Sequence, residues 1–307
     1  MQQPSSAEPS HQNEYCMMKR IITLAACLLA FVSLSAQTSK YEQRYNLLVS
    51  KLGPAGVGVE TVLDAWAQAD STDEKMLAAR FNYYLTKAQS TEIVKKQSKK
   101  YLGMTPLLTL KDSAGVDVHY YQEVFYDDEL FGMALKSVDK AISLYPDKVE
   151  YRFMKANAYI SYEKECPDMA LQYLMTLIDE NSSRKKPWIY NGEKAEESFM
   201  EDALQEYCYS FYQIGSPQSR EAFHDLSVKL NSLYPENLSF INNIGSYYMV
   251  AKEDYKAALK YYKKVLKKDP QDLVALQNGA IAAKQIGDSK LENKYRTALA
   301  KLNVKND

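Results

Sequence analysis

The most regular stretch of the chain runs from Asn237 to Pro270. Its apolar residues recur three and four positions apart: Leu238, Ile241, Ile244, Gly245 and Tyr248 form one stripe, and Tyr255, Ala258, Leu259, Tyr262, Val265 and Leu266 form a second. That spacing puts each set on one face of an α-helix. The second stripe stops at Asp269 and Pro270, because proline cannot continue the backbone ladder. The segment therefore predicts two amphipathic helices joined by a short turn.

The same pattern returns along the chain. Ala134, Val138, Ala141 and Pro146 repeat the second-helix spacing, with Asp127 or Asp128 as an N-cap. Ala156 and Tyr159 open a new first helix, whose partner begins at Pro167 and Asp168 and carries Ala170, Leu171, Leu174, Leu177 and Ile178. Proline suits the first helical turn, where no N–H is needed. A further first helix is predicted from Ala195 to Gly215, with Cys208 and Phe211 inward, and its partner holds Ala222, Leu226 and Leu230 before Pro235. The last pair, Leu273 to Leu302, keeps Leu276, Ala280, Gly287 and Asp288, but has Glu292 where a small residue is due, which suits a terminal cap. Near the N-terminus, Tyr41 to Leu52 and Val59 to Ala69 read as a degenerate hairpin around Gly53 to Gly58. The helix Asp73 to Lys87, with Ala78, Ala79 and Tyr83, finds its natural partner only at the helix beginning near Asp128. Within the insertion between them, Leu107 to Lys111 and Val116 to Gln122 flank Asp112, Ser113, Ala114 and Gly115, which predicts a short β-hairpin packed on the helices. Excursions of this kind from a regular array often carry function.

In the unit from Asn237 to Pro270, Gly245, Tyr248, Ala258, Tyr262 and Pro270 resemble the tetratricopeptide repeat, a helical hairpin of about 34 residues. In that family the small residues let two helices approach, the aromatics fill the groove between them, and the proline ends the unit. The resemblance implies an all-α fold, a right-handed superhelical array of antiparallel helix hairpins, here with one β-hairpin insertion at about 100–126 of a single domain spanning 37–307. Members of this family bind extended peptides on the concave face lined by first helices, which maps here to Arg80, Asn157, Asn242, Asn243, Gln277 and Asn278. The carboxylate-clamp subfamily wants basic residues where this chain has Phe153, Asn242 and Gln277, so a clamp for a charged chaperone tail is not expected.

Composition agrees with a helical chain. Only 11 Gly and 10 Pro in 307 residues are too few for a many-stranded sheet, which needs frequent turns. A formal charge of -1 gives no global field for nucleic acid or an anionic membrane. Lys19 and Arg20, followed by a low-charge run from Ile21 to Leu34 and by Ser35 and Ala36, read as a signal peptide, preceded by an upstream extension. The run is shorter than the roughly 20 residues of a membrane-spanning helix. Leu24, Ala25, Ala26 and Cys27 resemble a lipobox, but more apolar residues follow Cys27, so a lipid tether there is the lesser expectation. The mature chain keeps Cys166 and Cys208, and Cys208 falls at a small-residue position of a repeat, where a packed thiol is expected.

No nucleotide, metal or nucleophile motif occurs. The glycines of GPAGVG (Gly53, Gly56, Gly58) have neither a preceding strand nor a following Gly-Lys-Ser/Thr, and His119 and His224 have no partner at ligand spacing. The lysines Lys256, Lys260, Lys263, Lys264 and Lys267 lie opposite the apolar stripe, as a solvated face or a seat for an anionic partner. The segment Ser183 to Tyr190, with Lys185, Lys186, Pro187, Trp188 and Tyr190, is either a lid over the hairpin beneath it or an exposed anchor for a partner. The 25 tyrosines are read mainly as repeat-core aromatics with a polar tip.

The expectation is an exported, periplasmic or secreted scaffold of a Gram-negative type envelope. It would bind a protein or peptide, use no cofactor and catalyse nothing. A carbohydrate or small-ligand binding component of an envelope uptake system is the alternative, and a hydrolase on a helical-repeat scaffold the second. Candidate partner-binding residues are Arg80, Asn157, Trp188, Tyr190, Asn242, Asn243, Gln277 and Asn278. No nucleic acid is expected as a partner, and a membrane only through lipid at Cys27.

Overall fold

A computed structural model describes residues 40–306, and the leader read at 1–36 lies outside the described residues. The chain divides into two compact units. One holds Asp127–Pro146 and the residues up to Gln89, and the other holds Ser90–Tyr126 and everything from Asp147 onward.

The first unit contains α1 (40–52), α2 (Val59–Ala69), α3 (Glu74–Lys87) and α4 (Asp128–Leu144). Gly53 and Gly58 turn the chain between α1 and α2 at φ 81° and 85°, a backbone region that L side chains resist. Val59, Val62, Leu63 and Trp66 of α2 face inward. Asp73 caps α3 by accepting from the Met76 N–H at 2.9 Å, and Asp127 caps α4 in the same way from Leu130. α3 and α4 pack on each other, and the Asp127 N–H donates to the Ala88 carbonyl at 2.8 Å. That bond closes the base of the insertion, so α3 and α4 form the expected hairpin although a whole sheet replaces their turn. Glu60 ties α2 to α3, accepting from Tyr83 at 2.8 Å and from Lys87 at 3.0 Å, and these donors hold its carboxyl below the usual glutamate range.

The second unit begins with that sheet. β1 (Gln89–Lys96), β2 (Leu108–Lys111) and β3 (Asp117–Tyr126) lie in the order β1-β3-β2. β2 and β3 form the expected antiparallel hairpin, Leu108 opposite Tyr120 and Lys111 opposite Asp117. Its turn is held by the Asp112 carboxylate, which accepts from the Ala114 and Val116 N–H groups at 2.9 Å, and by Gly115 at φ 78°. The third strand, β1, was not expected; it precedes the hairpin and pairs with β3.

Four helical hairpins follow: α5 (Glu150–Tyr162) with α6 (Asp168–Ser183), α7 (Phe199–Ile214) with α8 (Pro217–Leu233), α9 (Leu238–Val250) with α10 (Tyr255–Lys268), and α11 (Leu273–Gln285) with α12 (Ser289–Asn306). Connections of a few residues make each pair antiparallel. α7 starts at Phe199 and not at Ala195, because the Ala195 N–H is used by the Trp188 carbonyl at the base of a small hairpin, β4 (Ile189–Tyr190) and β5 (Glu193–Lys194). Asn191 and Gly192 make its turn at φ 51° and 84°. An Asn-Gly pair is the commonest signature of a two-residue hairpin, and the sequence reading passed over it.

The helices approach closely where a glycine meets a tyrosine. A β-carbon on Gly245 would lie 2.7 Å from the ring of Tyr262, which is fully buried in the next helix. Gly279 faces Tyr295 similarly, at 3.0 Å. The two crossings are not equally tight, so the same substitution should have different effects at the two sites. Gly→Ala in a helix gains roughly 1 kcal/mol of propensity, whereas overpacking a fixed core costs about 1–3 kcal/mol. Urea unfolding of Gly245→Ala should show a net loss of about 1–2 kcal/mol, while Gly279→Ala should change stability by less than about 0.5 kcal/mol. Equal effects at the two sites would mean that the Tyr262 contact does not set the spacing. Glu60 yields a pH prediction. Its depressed folded pKa gives stability that is present above the ordinary glutamate range and lost as pH falls through the lowered value, so Glu60→Gln should flatten the acid limb of the stability curve measured below about pH 4.5.

Candidate functional site

The first helices of the second unit lie side by side, and uncharged amides link them. Gln205 on α7 and Asn243 on α9 exchange hydrogen bonds, Asn243 Nδ2 to Gln205 Oε1 at 2.8 Å and Gln205 Nε2 to Asn243 Oδ1 at 3.4 Å. Asn278 on α11 donates to Ser246 Oγ on α9 at 3.4 Å. Asn157 on α5 and Gln277 on α11 are exposed. The row thus crosses α7, α9 and α11 and offers donors and acceptors together, because every primary amide carries both. Gln205 is a member that the sequence reading missed, although it stands on the same helical face three residues before Cys208.

Two predicted residues sit elsewhere than a free surface. Asn242 is buried; its Nδ2 donates to Asp272 at 3.1 Å, and Asp272 caps α11 through the Ala275 N–H. It therefore braces the next hairpin, and its Oδ1 accepts no hydrogen bond among the described residues. Arg80 belongs to the first unit, where its guanidinium pairs with Asp64 at 2.6 Å, so its charge is already matched.

Trp188 resolves the choice between lid and anchor. It is 4% exposed, its indole N–H donates to Asn181 at 2.8 Å, and Arg184 and Arg152 lie over its ring at 3.6 and 4.7 Å. Arg152 also holds Glu180 with two hydrogen bonds, at 2.8 and 2.7 Å. A buried ring contacted by two ion-paired guanidinium groups is part of the packed structure. Tyr190, like Lys185, Lys186 and Pro187 of the same segment, reaches solvent, at 38% exposure, with its ring against Phe199 and Phe153.

A cleft of about 620 Å³ opens where the loop after β1 meets the turn between α7 and α8, lined by Lys100, Tyr101, Tyr212, Gln213, Gln218 and Arg220 among others. Its wall is strained. Leu102 has φ 48°, unusual for a bulky residue, and a β-carbon on Gly103 would lie 2.5 Å from the Gln213 carbonyl. Tyr101 donates to Glu123 at 2.9 Å and approaches Glu165 at 3.3 Å, and burial together with these carboxylates pushes its phenol up.

Among the described residues, Cys166 and Cys208 are free thiols. Cys208 is fully buried beneath Ser227, and burial pushes its pKa up to about 12. Cys166 is exposed, with its thiol raised by a hydrogen bond to Asp168. His119 is buried in the sheet against Thr109 at 2.8 Å, and His224 stacks on Tyr247. Among the described residues no three His, Cys, Asp or Glu side chains gather as metal ligands, and no helix is long and apolar enough to cross a membrane.

No family model and no curated protein matches the chain. Among solved structures, the chain is similar to crystal structures of the MamA protein (16% identity, 56% of this chain and 80% of that one, TM-score 0.36). It is also similar to Pseudomonas aeruginosa PilF (14%, 56% and 69%, 0.37) and to PilW, a type IV pilus biogenesis factor (12%, 85% and 91%, 0.37). The fold of this chain is tetratricopeptide-like on its own contacts, the paired helices and the glycine-tyrosine crossings already described.

Removing the Trp188 side chain should damage the fold before it damages any surface. Trp188→Ala is expected to cost about 3–5 kcal/mol in denaturant unfolding, and a variant of unchanged stability would return the residue to the list of surface anchors. For the thiols, alkylation followed by peptide mapping should modify Cys166 in the native protein and Cys208 only after denaturation. The rate at Cys166 should keep rising with pH beyond the ordinary thiol range of about 8.5.

Proposed function

We propose that the chain is an exported, non-catalytic scaffold that holds an extended stretch of a partner protein against the first helices of its second unit. The observation that carries this reading is the amide row formed by Gln205, Asn243 and Asn278, with Asn157 and Gln277 exposed on the same set of helices. An extended backbone presents alternating N–H and C=O groups that no regular structure satisfies, and side-chain amides match both without imposing a charge. The absence of a basic residue at Phe153, Asn242 and Gln277 directs the preference to the interior of a peptide and away from a charged terminus. Export rests on the leader-like segment from Lys19 to Ala36.

A second reading is favoured by the cleft at Tyr101 and Tyr212. Its volume of about 620 Å³ lies in the range of small-ligand sites, and its mixture of tyrosine with amide, guanidinium and carboxylate groups suits a polyhydroxylated ligand such as an oligosaccharide.

Asn157→Arg with Gln277→Arg places bulk and charge on exposed positions and should leave unfolding within about 0.5 kcal/mol of the parent. In capture from envelope extract, the parent should retain a discrete protein that the double variant loses. Retention by both would remove the first-helix face from consideration. Oligosaccharide binding that is lost in Tyr212→Ala, with no protein captured, would favour the cleft instead.

A further inference from the structure

The opposite layer of the second unit, built from second helices, carries a different kind of surface. α10 has Lys256, Lys260, Lys263, Lys264, Lys267 and Lys268 and no carboxylate. Lys256, Lys260, Lys263 and Lys267 follow one another at helical spacing along about 16 Å of one face. Lys290 and Lys294 stand on α12. Between α10 and α12 lies a groove of about 410 Å³ whose floor is Leu266, Pro270, Leu276, Ala298 and the ring of Tyr295, and whose rim is Lys263, Lys267 and Lys294.

These three ammonium groups differ from most lysines that bridge helices here. Lys229 pairs with Asp179, Lys252 with Glu221 and Lys268 with Glu236, each between different elements. Lys263, Lys267 and Lys294 make no ion pair among the described residues. The nearest carboxylate on α12, Glu292, is taken by Arg296 at 2.8 Å. Three like charges held around one apolar floor repel one another, and an anion seated there relieves that repulsion while covering the floor.

We propose that this groove docks an acidic amphipathic helix of a partner protein, with one or two large apolar side chains in the groove and carboxylates three and four residues away on the rim. Three cations ask for several carboxylates at once, which a helix supplies on both sides of an apolar stripe and a single fatty acid does not. An apolar floor recessed between two helices asks for protruding side chains, which a flat lipid surface lacks. The site lies on the layer opposite to the amide row, so the protein would hold two partners independently.

The test uses a blocked synthetic helix with Leu and Phe at i, i+3, i+4 and i+7 and Glu on the remaining face, followed by fluorescence anisotropy against the full chain. Saturable binding is expected. It should weaken at least about tenfold in Lys263→Glu/Lys267→Glu/Lys294→Glu and fall with added salt. Ala298→Trp, which fills the groove and leaves the lysines in place, should abolish binding with unfolding unchanged. Unaltered affinity in the triple variant would overturn the proposal. Equal binding of a peptide of the same composition without a continuous apolar stripe would do the same, since it would reduce the effect to general attraction between charges. Binding to vesicles of anionic lipid with none to the helix would assign the surface to a membrane, and self-association of the parent that the triple variant abolishes would assign it to a second copy of the chain. The Asn157→Arg/Gln277→Arg variant should bind the helix normally, which separates this site from the amide row.

Discussion

A helix in a repeat array can bury its apolar stripe only if its neighbour comes close enough to exclude water, and the distance of approach is set by the smallest side chain at the crossing. Here that position is Gly245, over which the ring of Tyr262 lies too close for a β-carbon, and Gly279 repeats the arrangement with Tyr295. The aromatic ring fills the volume that the glycine vacates. Tyr262 in turn gives its hydroxyl to the neighbourhood of Ser246 at 3.2 Å, so burying the ring leaves no polar atom stranded. Much of the polar organisation follows from this spacing. The amides of α9 and α11 meet because their helices are held near each other, and Asn242 can brace the cap of α11 for the same reason.

The helical part was legible because the physics that stops a helix is local. Asp73, Asp127, Ser216, Asn237, Asp254 and Asp272 each accept a backbone N–H from the first turn of the helix they precede, and the cap before α4 was read from the sequence at Asp127 or Asp128. The β2-β3 hairpin was equally local, since Asp112 and Gly115 alone define its turn. What escaped depended on distant partners. β1, with the sequence QSTEIVKK, is mostly exposed, lacks an alternating apolar face and follows α3 without a breaker, so only its pairing with β3 makes it a strand. Trp188 was read as either a lid or an anchor because the sequence could not say that Arg152, in α5, reaches its ring from across the hairpin. The candidate binding residues divided along the same line. Asn157 and Gln277, placed by the family resemblance, lie exposed, whereas the burial of Asn242 and the pairing of Arg80 are set by neighbours remote in sequence.

Charge is used in two distinct ways. Across both units, pairs such as Lys75 with Glu42, Lys87 with Glu60, and Lys229 with Asp179 join one helix to another. Each is partly exposed to solvent and contributes little by itself. Glu60 and Glu221 go further, since each also accepts from a tyrosine, Tyr83 or Tyr247, and so anchors a carboxylate with a neutral and a charged donor together. This is a repeated way of pinning a second helix to the first helix after it, and it uses the phenol tip of a residue whose ring is already in the core.

Against that background the groove rimmed by Lys263, Lys267 and Lys294 departs from the rule of the fold. A lysine that pairs across a junction supports the array, while one that borders a recessed apolar floor and makes no ion pair among the described residues adds no such link. The amide row is the converse case: it is satisfied internally, and a partner must exchange those bonds for its own at little net cost. On the proposed readings, one layer would take a neutral backbone through exchangeable hydrogen bonds, and the other an acidic helix through unmatched charge. Affinity on the first should respond weakly to salt and on the second strongly, because only the second draws on Coulomb attraction between exposed groups.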